Sequence, residues 1–94
     1  HGSAREGGAM QVLIPGALRS YTRQAQVEAD GETLAALLLD LDRRYPGLRF
    51  RIIDEQDRLR PNLRLFINGL GTRDLGQALR PGDLVAVVLA LSGG

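Results

Sequence analysis

The 94-residue sequence predicts an α+β fold, a mixed sheet of four to five strands packed on one main helix. Three observations carry this expectation. A single stretch, Thr33 to Tyr45, has a strong helical period. Short alternating runs flank it on both sides. The last long segment, Leu84 to Leu91, is apolar throughout, which suits a central strand covered on both faces.

From Met10 the order reads strand, strand, helix, strand, strand. Gln11 to Ile14 is a short apolar run stopped by Pro15-Gly16, a turn pair. Leu18 to Thr22 is expected to be a connection. Gln24 to Ala29 then alternates, with Ala25, Val27 and Ala29 on one side and Gln24, Gln26 and Glu28 on the other, the period of a half-buried strand. Asp30-Gly31 ends it. In the helix, Leu34, Leu37, Leu38 and Leu41 fall on one face, while Asp40, Arg43 and Arg44 take the other. Thr33 or Asp30 can cap its first turn, and Pro46-Gly47 stops it.

Leu48 to Ile53 fits either a short strand or a helical turn. Asp54 to Pro61 reads as a charged surface loop. Leu63 to Asn68 alternates again, with Leu63, Leu65 and Ile67 opposite Arg64 and Phe66, and Asn68-Gly69 is a turn signal. Asp74 to Leu79 is expected to hold one helical turn, and Pro81-Gly82-Asp83 to turn the chain into Leu84. If the first and last strands pair in parallel at the centre, with the helix crossing one face, the result is a β-grasp fold.

The length accommodates one core and hence one domain, expected over residues 10–91. The polar, Gly-rich stretch from His1 to Ala9 reads as an expression-tag remnant expected to be disordered, and Ser92 to Gly94 as a flexible tail. Cysteine is absent and the one histidine is His1, so no disulfide, thiolate metal site, cysteine nucleophile or histidine-based triad is available. No apolar run approaches the roughly 20 residues of a membrane span. A cytoplasmic, non-enzymatic protein without bound metal or cofactor is the expectation. The 12 basic residues are all arginine, and the net charge of +1 creates no long-range field for nucleic acid or lipid.

The final residues carry the chemistry. At this chain's glycine content, a Gly-Gly ending arises by chance in only about 1–2% of sequences. Glycine lacks a Cβ, so Gly93-Gly94 can thread a narrow slot and present its carboxylate to an activating centre. Ser92 to Gly94 reach roughly 10 Å beyond the last strand when extended. A carboxylate is inert at neutral pH until activated, and acyl-adenylate formation is the usual remedy.

Four segments in order, QVLIPGALRSYT, DGETLAALLLDLDRRYPGL, LRLFINGLGT and RPGDLVAVVLALSGG, resemble the ubiquitin-like sulfur carriers of the MoaD/ThiS family. The long segment Leu48 to Asn62 looks more like the cysteine-biosynthesis carriers of actinobacteria than the shorter thiazole-pathway carriers. The resemblance implies a carrier and not an enzyme. A ubiquitin-activating-type adenylyltransferase would use ATP and magnesium to adenylate Gly94. Sulfide or a persulfide donor would then displace AMP to leave a thiocarboxylate, and an acceptor enzyme of cysteine, molybdopterin or thiazole synthesis would take the sulfur. It also implies a metalloprotease able to process the tail. Where relatives often carry proline or an aromatic before the glycines, this chain has Leu89, Ala90 and Leu91.

Phe66 and Arg64 share the sheet face opposite Leu63 and Leu65, which makes them candidate partner contacts together with Leu91 and Ser92 beside the glycines. The arginines from Arg43 to Arg64 are interrupted by Asp54, Glu55 and Asp57 and read as a solvated mixed-charge face, not a nucleic-acid surface. Gly69-Leu70-Gly71 lacks the spacing of a phosphate loop and reads as a turn. The alternative to a sulfur carrier is a ubiquitin-like modifier joined through Gly94 to lysines of other proteins. A chain with no lysine of its own suits single-use attachment as well as sulfur carriage. A third reading is an interaction module with an inert tail.

Overall fold

A computed structural model describes residues 9–90. Five strands form one sheet in the order β2-β1-β5-β3-β4. At its centre β1 (Ala9–Leu13) and β5 (Leu84–Leu89) run parallel, with Val12 beside Val85. β2 (Gln26–Asp30) flanks β1 in antiparallel register, Val27 opposite Val12. On the other side β3 (Leu63–Ile67) is antiparallel to β5, and β4 (Leu70–Thr72) forms the outer edge. With the helix laid across one face, this is the β-grasp arrangement. β1 begins at Ala9, two residues before the expected Gln11, so Ala9, read as the end of a disordered tag, is instead paired with Asp30.

The main helix is α2 (Leu34–Arg44). Thr33 Oγ1 accepts the Ala36 amide at 3.2 Å, so the expected threonine is the cap. Leu34, Leu37, Leu38 and Leu41 are all 0% exposed and pack on Met10, Val12, Val27, Ala29, Leu63, Leu65, Val85 and Val87. Burying a leucine side chain contributes about 1.5–3 kcal/mol, so this one helical stripe against the sheet supplies much of the core's stability. The expected connection Leu18 to Thr22 is a 3-10 turn (Gly16–Leu18) running into a one-turn helix, α1 (Arg19–Thr22). Of the expected strand Gln24 to Ala29, the first two residues lie in the turn, and the pairing starts at Gln26.

Leu48 to Ile53 resolves as a helix, α3 (Leu48–Ile52), which buries Leu48 and Ile52. The loop after it is anchored from both sides. Ile53 bridges Leu59, which is buried, and Asp54 Oδ1 accepts the amides of Gln56 and Arg58 at 2.9 and 3.0 Å.

Two expectations fail for tertiary reasons. Asp74 to Leu79 forms no helical turn, because its carbonyls serve the helix instead. The amides of Leu34 and Ala35 donate to Gln77 and Leu75, satisfying donors that a helix start leaves open. The residues read as a turn at Leu70-Gly71 instead belong to β4. Asn68 and Gly69 supply the two positive φ angles, 51° and 87°, of a tight hairpin joining it to β3.

β5 is central but covered on only one face. Val85 and Val87 are buried, whereas Leu84 and Val88 are 38% and 40% exposed. The expected two-sided cover rested on composition. Among the described residues the only long helix is α2, and it lies on the other side of the sheet.

The end of β2 is tied to α2 by charge and by close approach. Asp40, with its side chain 12% exposed, accepts the Asp30 amide at 2.8 Å and pairs with Arg43 and Arg44. Burial alone would raise its carboxyl. The hydrogen bonds and charges of both arginines outweigh that and hold it below the ordinary carboxylate value. Gly31 touches the helix backbone, and a Cβ there would lie 2.4 Å from the Leu37 nitrogen.

Two outcomes follow from this junction. Gly31→Ala must push β2 off the helix, so it should cost about 2–3 kcal/mol in urea unfolding. Wild-type-like stability would contradict the close approach. Asp40 is ionised more readily folded than unfolded, so its contribution is present above its unfolded value of about 4 and is lost as pH falls through the lower folded value. Stability should therefore fall from pH 5 to pH 2.5, and less steeply in Asp40→Asn; parallel curves would contradict the assignment.

Candidate functional site: the end of the central strand and the open sheet face

β5 carries the chain out of the sheet beside the start of β3. Leu63 sits opposite Leu89, and the Ala90 amide donates to the Asn62 carbonyl at 2.8 Å. The last residue of the sheet's most central connection is thus pinned from its neighbour. Leu91, Ser92, Gly93 and Gly94 lie outside the described residues, as do residues 1–8. Covalent geometry limits Gly94 to within about 14 Å of Ala90.

Beside this exit lies the sheet face that α2 leaves open. Cross-strand register aligns Leu13, Ala86, Phe66 and Gly71 in one row, with Val88 and Arg64 in the next. Phe66 is half-buried and lies over Gly71, whose added Cβ would come within 3.3 Å of the ring. The register places it on the face opposite the buried Leu63 and Leu65. Arg64 is exposed, and its Nη1 donates to the Pro61 and Leu63 carbonyls at 2.7 and 3.0 Å. Phe66 and Arg64, named from alternation, therefore fall on one surface, opposite residues that lie four and two positions before Ala90 along β5.

The hairpin end of this face is held by Asn68. Its Oδ1 accepts the Leu84 amide and its Nδ2 donates to Asp83, both at 2.9 Å. The Arg80 amide and the Asn68 side chain together hold the Asp83 carboxyl below its usual range. This clamp sets where β5 enters the sheet. Asn68-Gly69 was legible as a turn, but its partner Asp83, fifteen residues on, was not.

The arginine-rich stretch resolves largely into local pairs. Arg49 binds Asp57 at 3.0 Å, Arg44 binds Asp40 and Asp30, and Arg60 stacks over Phe50 at 4.6 Å. Asp54 holds the turn through the Arg58 and Gln56 amides, and these keep its carboxyl below the ordinary value. A group so held is a loop staple and a poor proton donor.

The match to the ThiS family runs from residue 12 to residue 94, taking in the end of β1, the other four strands and both terminal glycines. The chain belongs to the ThiS family. Its members are ubiquitin-like sulfur carriers, small carrier proteins and not catalysts. The sulfur carrier protein CysO of Mycobacterium tuberculosis is 34% identical over 89 residues, covering 88% of this chain and 96% of the relative. The crystal structure of Mycobacterium tuberculosis CysO, described as an antigen, superposes with a TM-score of 0.83 at 32% identity over 87% of this chain and 99% of that one. CysO of Amycolatopsis orientalis, in a crystal structure of its complex with BexX, gives a TM-score of 0.84 at 28% identity, covering 90% and 99%. SAMP1 of Haloferax volcanii gives 0.80 at 26% identity, covering 93% and 100%. The sequence resemblance to cysteine-type carriers is therefore matched by CysO relatives in both comparisons. Among the described residues no helix is long and apolar enough to cross a membrane.

The open face takes little part in the core, so substitutions on the two sides of β5 should separate. Val88→Ser should change unfolding free energy by less than about 1 kcal/mol, whereas Val87→Ala should cost about 1–2.5 kcal/mol. Equal losses would mean that the open face is part of the core.

Proposed function

We propose that the chain carries sulfur on Gly94 as a thiocarboxylate and delivers it to a biosynthetic acceptor enzyme of the cysteine type. The observation carrying this reading is the placement of β5. The sheet's central strand runs to Ala90 beside an open apolar face, and Leu-Ser-Gly-Gly follows directly. The rigid part of the molecule then positions the segment, and the docking face sets the depth to which an enzyme takes it in.

The chemistry is an acyl transfer in two steps. A Gly94 carboxylate oxygen attacks the α-phosphorus of ATP and pyrophosphate leaves, giving the acyl-adenylate. Sulfide attacks the acyl carbon, AMP leaves with the bonding electron pair, and the thiocarboxylate remains. A persulfide donor attacks through its outer sulfur and AMP leaves, giving an acyl disulfide; a thiol then attacks the donor's inner sulfur, breaking the S–S bond to form a donor–thiol disulfide and release the thiocarboxylate. ATP and magnesium belong to the activating enzyme, which makes the cytoplasm the natural compartment. Gly93 and Gly94 pass through the narrow part of the enzyme slot, Leu91 and Ser92 occupy its mouth, and Phe66 with Arg64 meets the enzyme surface. A metalloprotease that exposes or removes the glycine end fits the same scheme.

The CysO relatives support the cysteine-type acceptor, and the BexX complex of one of them supports direct docking to an enzyme. The likeness to SAMP1, with its modifier relatives, favours a second reading, attachment of Gly94 to lysines of other proteins. Both readings share the activation step, and the acceptor separates them.

Activation is measurable as chain-dependent exchange of labelled pyrophosphate into ATP by an adenylyltransferase of the ubiquitin-activating type. The full chain should support exchange, and deletion of Gly94 should abolish it with an unchanged melting curve. Exchange that survives the deletion would contradict the assignment to Gly94.

A further inference from the structure

Two guanidinium groups stand near the end of the sheet from which the chain continues to Gly94. Arg64 lies across from Val88, two residues before Ala90, with Nη1 held by the Pro61 and Leu63 carbonyls. Arg73 follows β4, and its Nη2 donates to the Leu59 carbonyl at 3.2 Å. Both are exposed, and the carbonyls that hold them come from one short stretch, residues 59–63.

Among the described residues neither group has a carboxylate partner, whereas Arg43, Arg44 and Arg49 each do. The acids close by in the chain are engaged elsewhere. Asp57 pairs with Arg49, and Asp74 accepts the Gly76 amide. A guanidinium offers five N–H donors in a flat fork. Arg64 spends Nη1 on backbone, which leaves Nε and Nη2, an edge that matches a carboxylate with two parallel hydrogen bonds. Holding the fork in place beforehand lowers the ordering cost of forming that pair.

We infer that Arg64 and Arg73 receive carboxylates on the rim of the enzyme that adenylates Gly94, an inference that rests on the carrier reading above. Their position selects a protein rim over the nucleotide. Four residues separate Ala90 from the reacting carboxyl, a span of about 14 Å when extended. With the tail inserted, the phosphates of ATP lie at its far end, while groups beside Ala90 face the mouth of the slot. Rim charges of this kind govern docking and its salt dependence more than the chemical step.

The test uses the full chain and an adenylyltransferase shown to charge it, with pyrophosphate exchange followed against carrier concentration at several sodium chloride concentrations. Arg64→Gln with Arg73→Gln should raise KM for the carrier about tenfold at low salt, with kcat within about twofold and a flatter salt dependence. Arg64→Lys with Arg73→Lys keeps the charge, loses the fork and should fall between the two. It also covers the case in which the glutamine variant is poorly folded by its melting curve. An unchanged KM in the folded variants, or a fall in kcat with KM constant, would overturn the inference. A wild-type chain that no such enzyme charges would instead overturn the carrier reading itself.

Discussion

The parallel pairing of β1 with β5 is the constraint on which the molecule depends. Parallel neighbours cannot be joined by a tight turn, so the chain must cross from one end of the sheet to the other between them. Everything from β2 to β4 lies within that crossing, and α2 is its one long element. Because a single helix does the covering, it can shield only one face of the sheet. The core therefore forms between α2 and the residues facing it, and the opposite face stays open. The same pairing puts the last strand at the centre, where hydrogen bonds from β1 and β3 hold it on both edges. A C-terminal segment leaving such a strand starts from a fixed point.

That geometry joins the two halves of a carrier's task. Reaction at a chain end needs a slender, side-chain-free segment that an enzyme can enclose. Recognition needs a rigid surface. In the proposed reading the apolar row of Leu13, Ala86 and Phe66, with Val88 beside it, is that surface, and its Ala86 and Val88 lie on the strand that leads into the segment carrying the chemistry. An exposed apolar patch on a stable core is costly in solubility unless a partner covers it, and α2 already satisfies the core without it. Helix, sheet and ending thus agree with the carrier role proposed for the chain.

Much of this was legible in the sequence, and the failures have a common cause. The leucine spacing and Thr33 marked α2 because helix period and capping are local properties. Gly93-Gly94 stood out because freedom from side chains is a property of the residues themselves, and both lie outside the described residues. Apolar composition alone placed β5 at the centre but could not separate a buried face from an open one, since leucine and valine occupy both. Asp74 to Leu79 was misread because its carbonyls are claimed by the start of α2, a contact set by the tertiary fold. Gly31 gave no local sign of its close approach to Leu37, and Arg73 none of its tether to Leu59. Each depends on residues distant in the chain.

The central claim is that activation at Gly94 ends in a carbon–sulfur bond. Intact mass, measured after incubating the full chain with an adenylyltransferase that activates it, ATP, magnesium and sulfide, reads that bond directly. The account predicts a gain equal to one oxygen exchanged for one sulfur, confined to the C-terminal peptide and absent without ATP. Turnover of ATP with an unchanged mass, in the presence of sulfide, would contradict it and shift the assignment to a protein modifier.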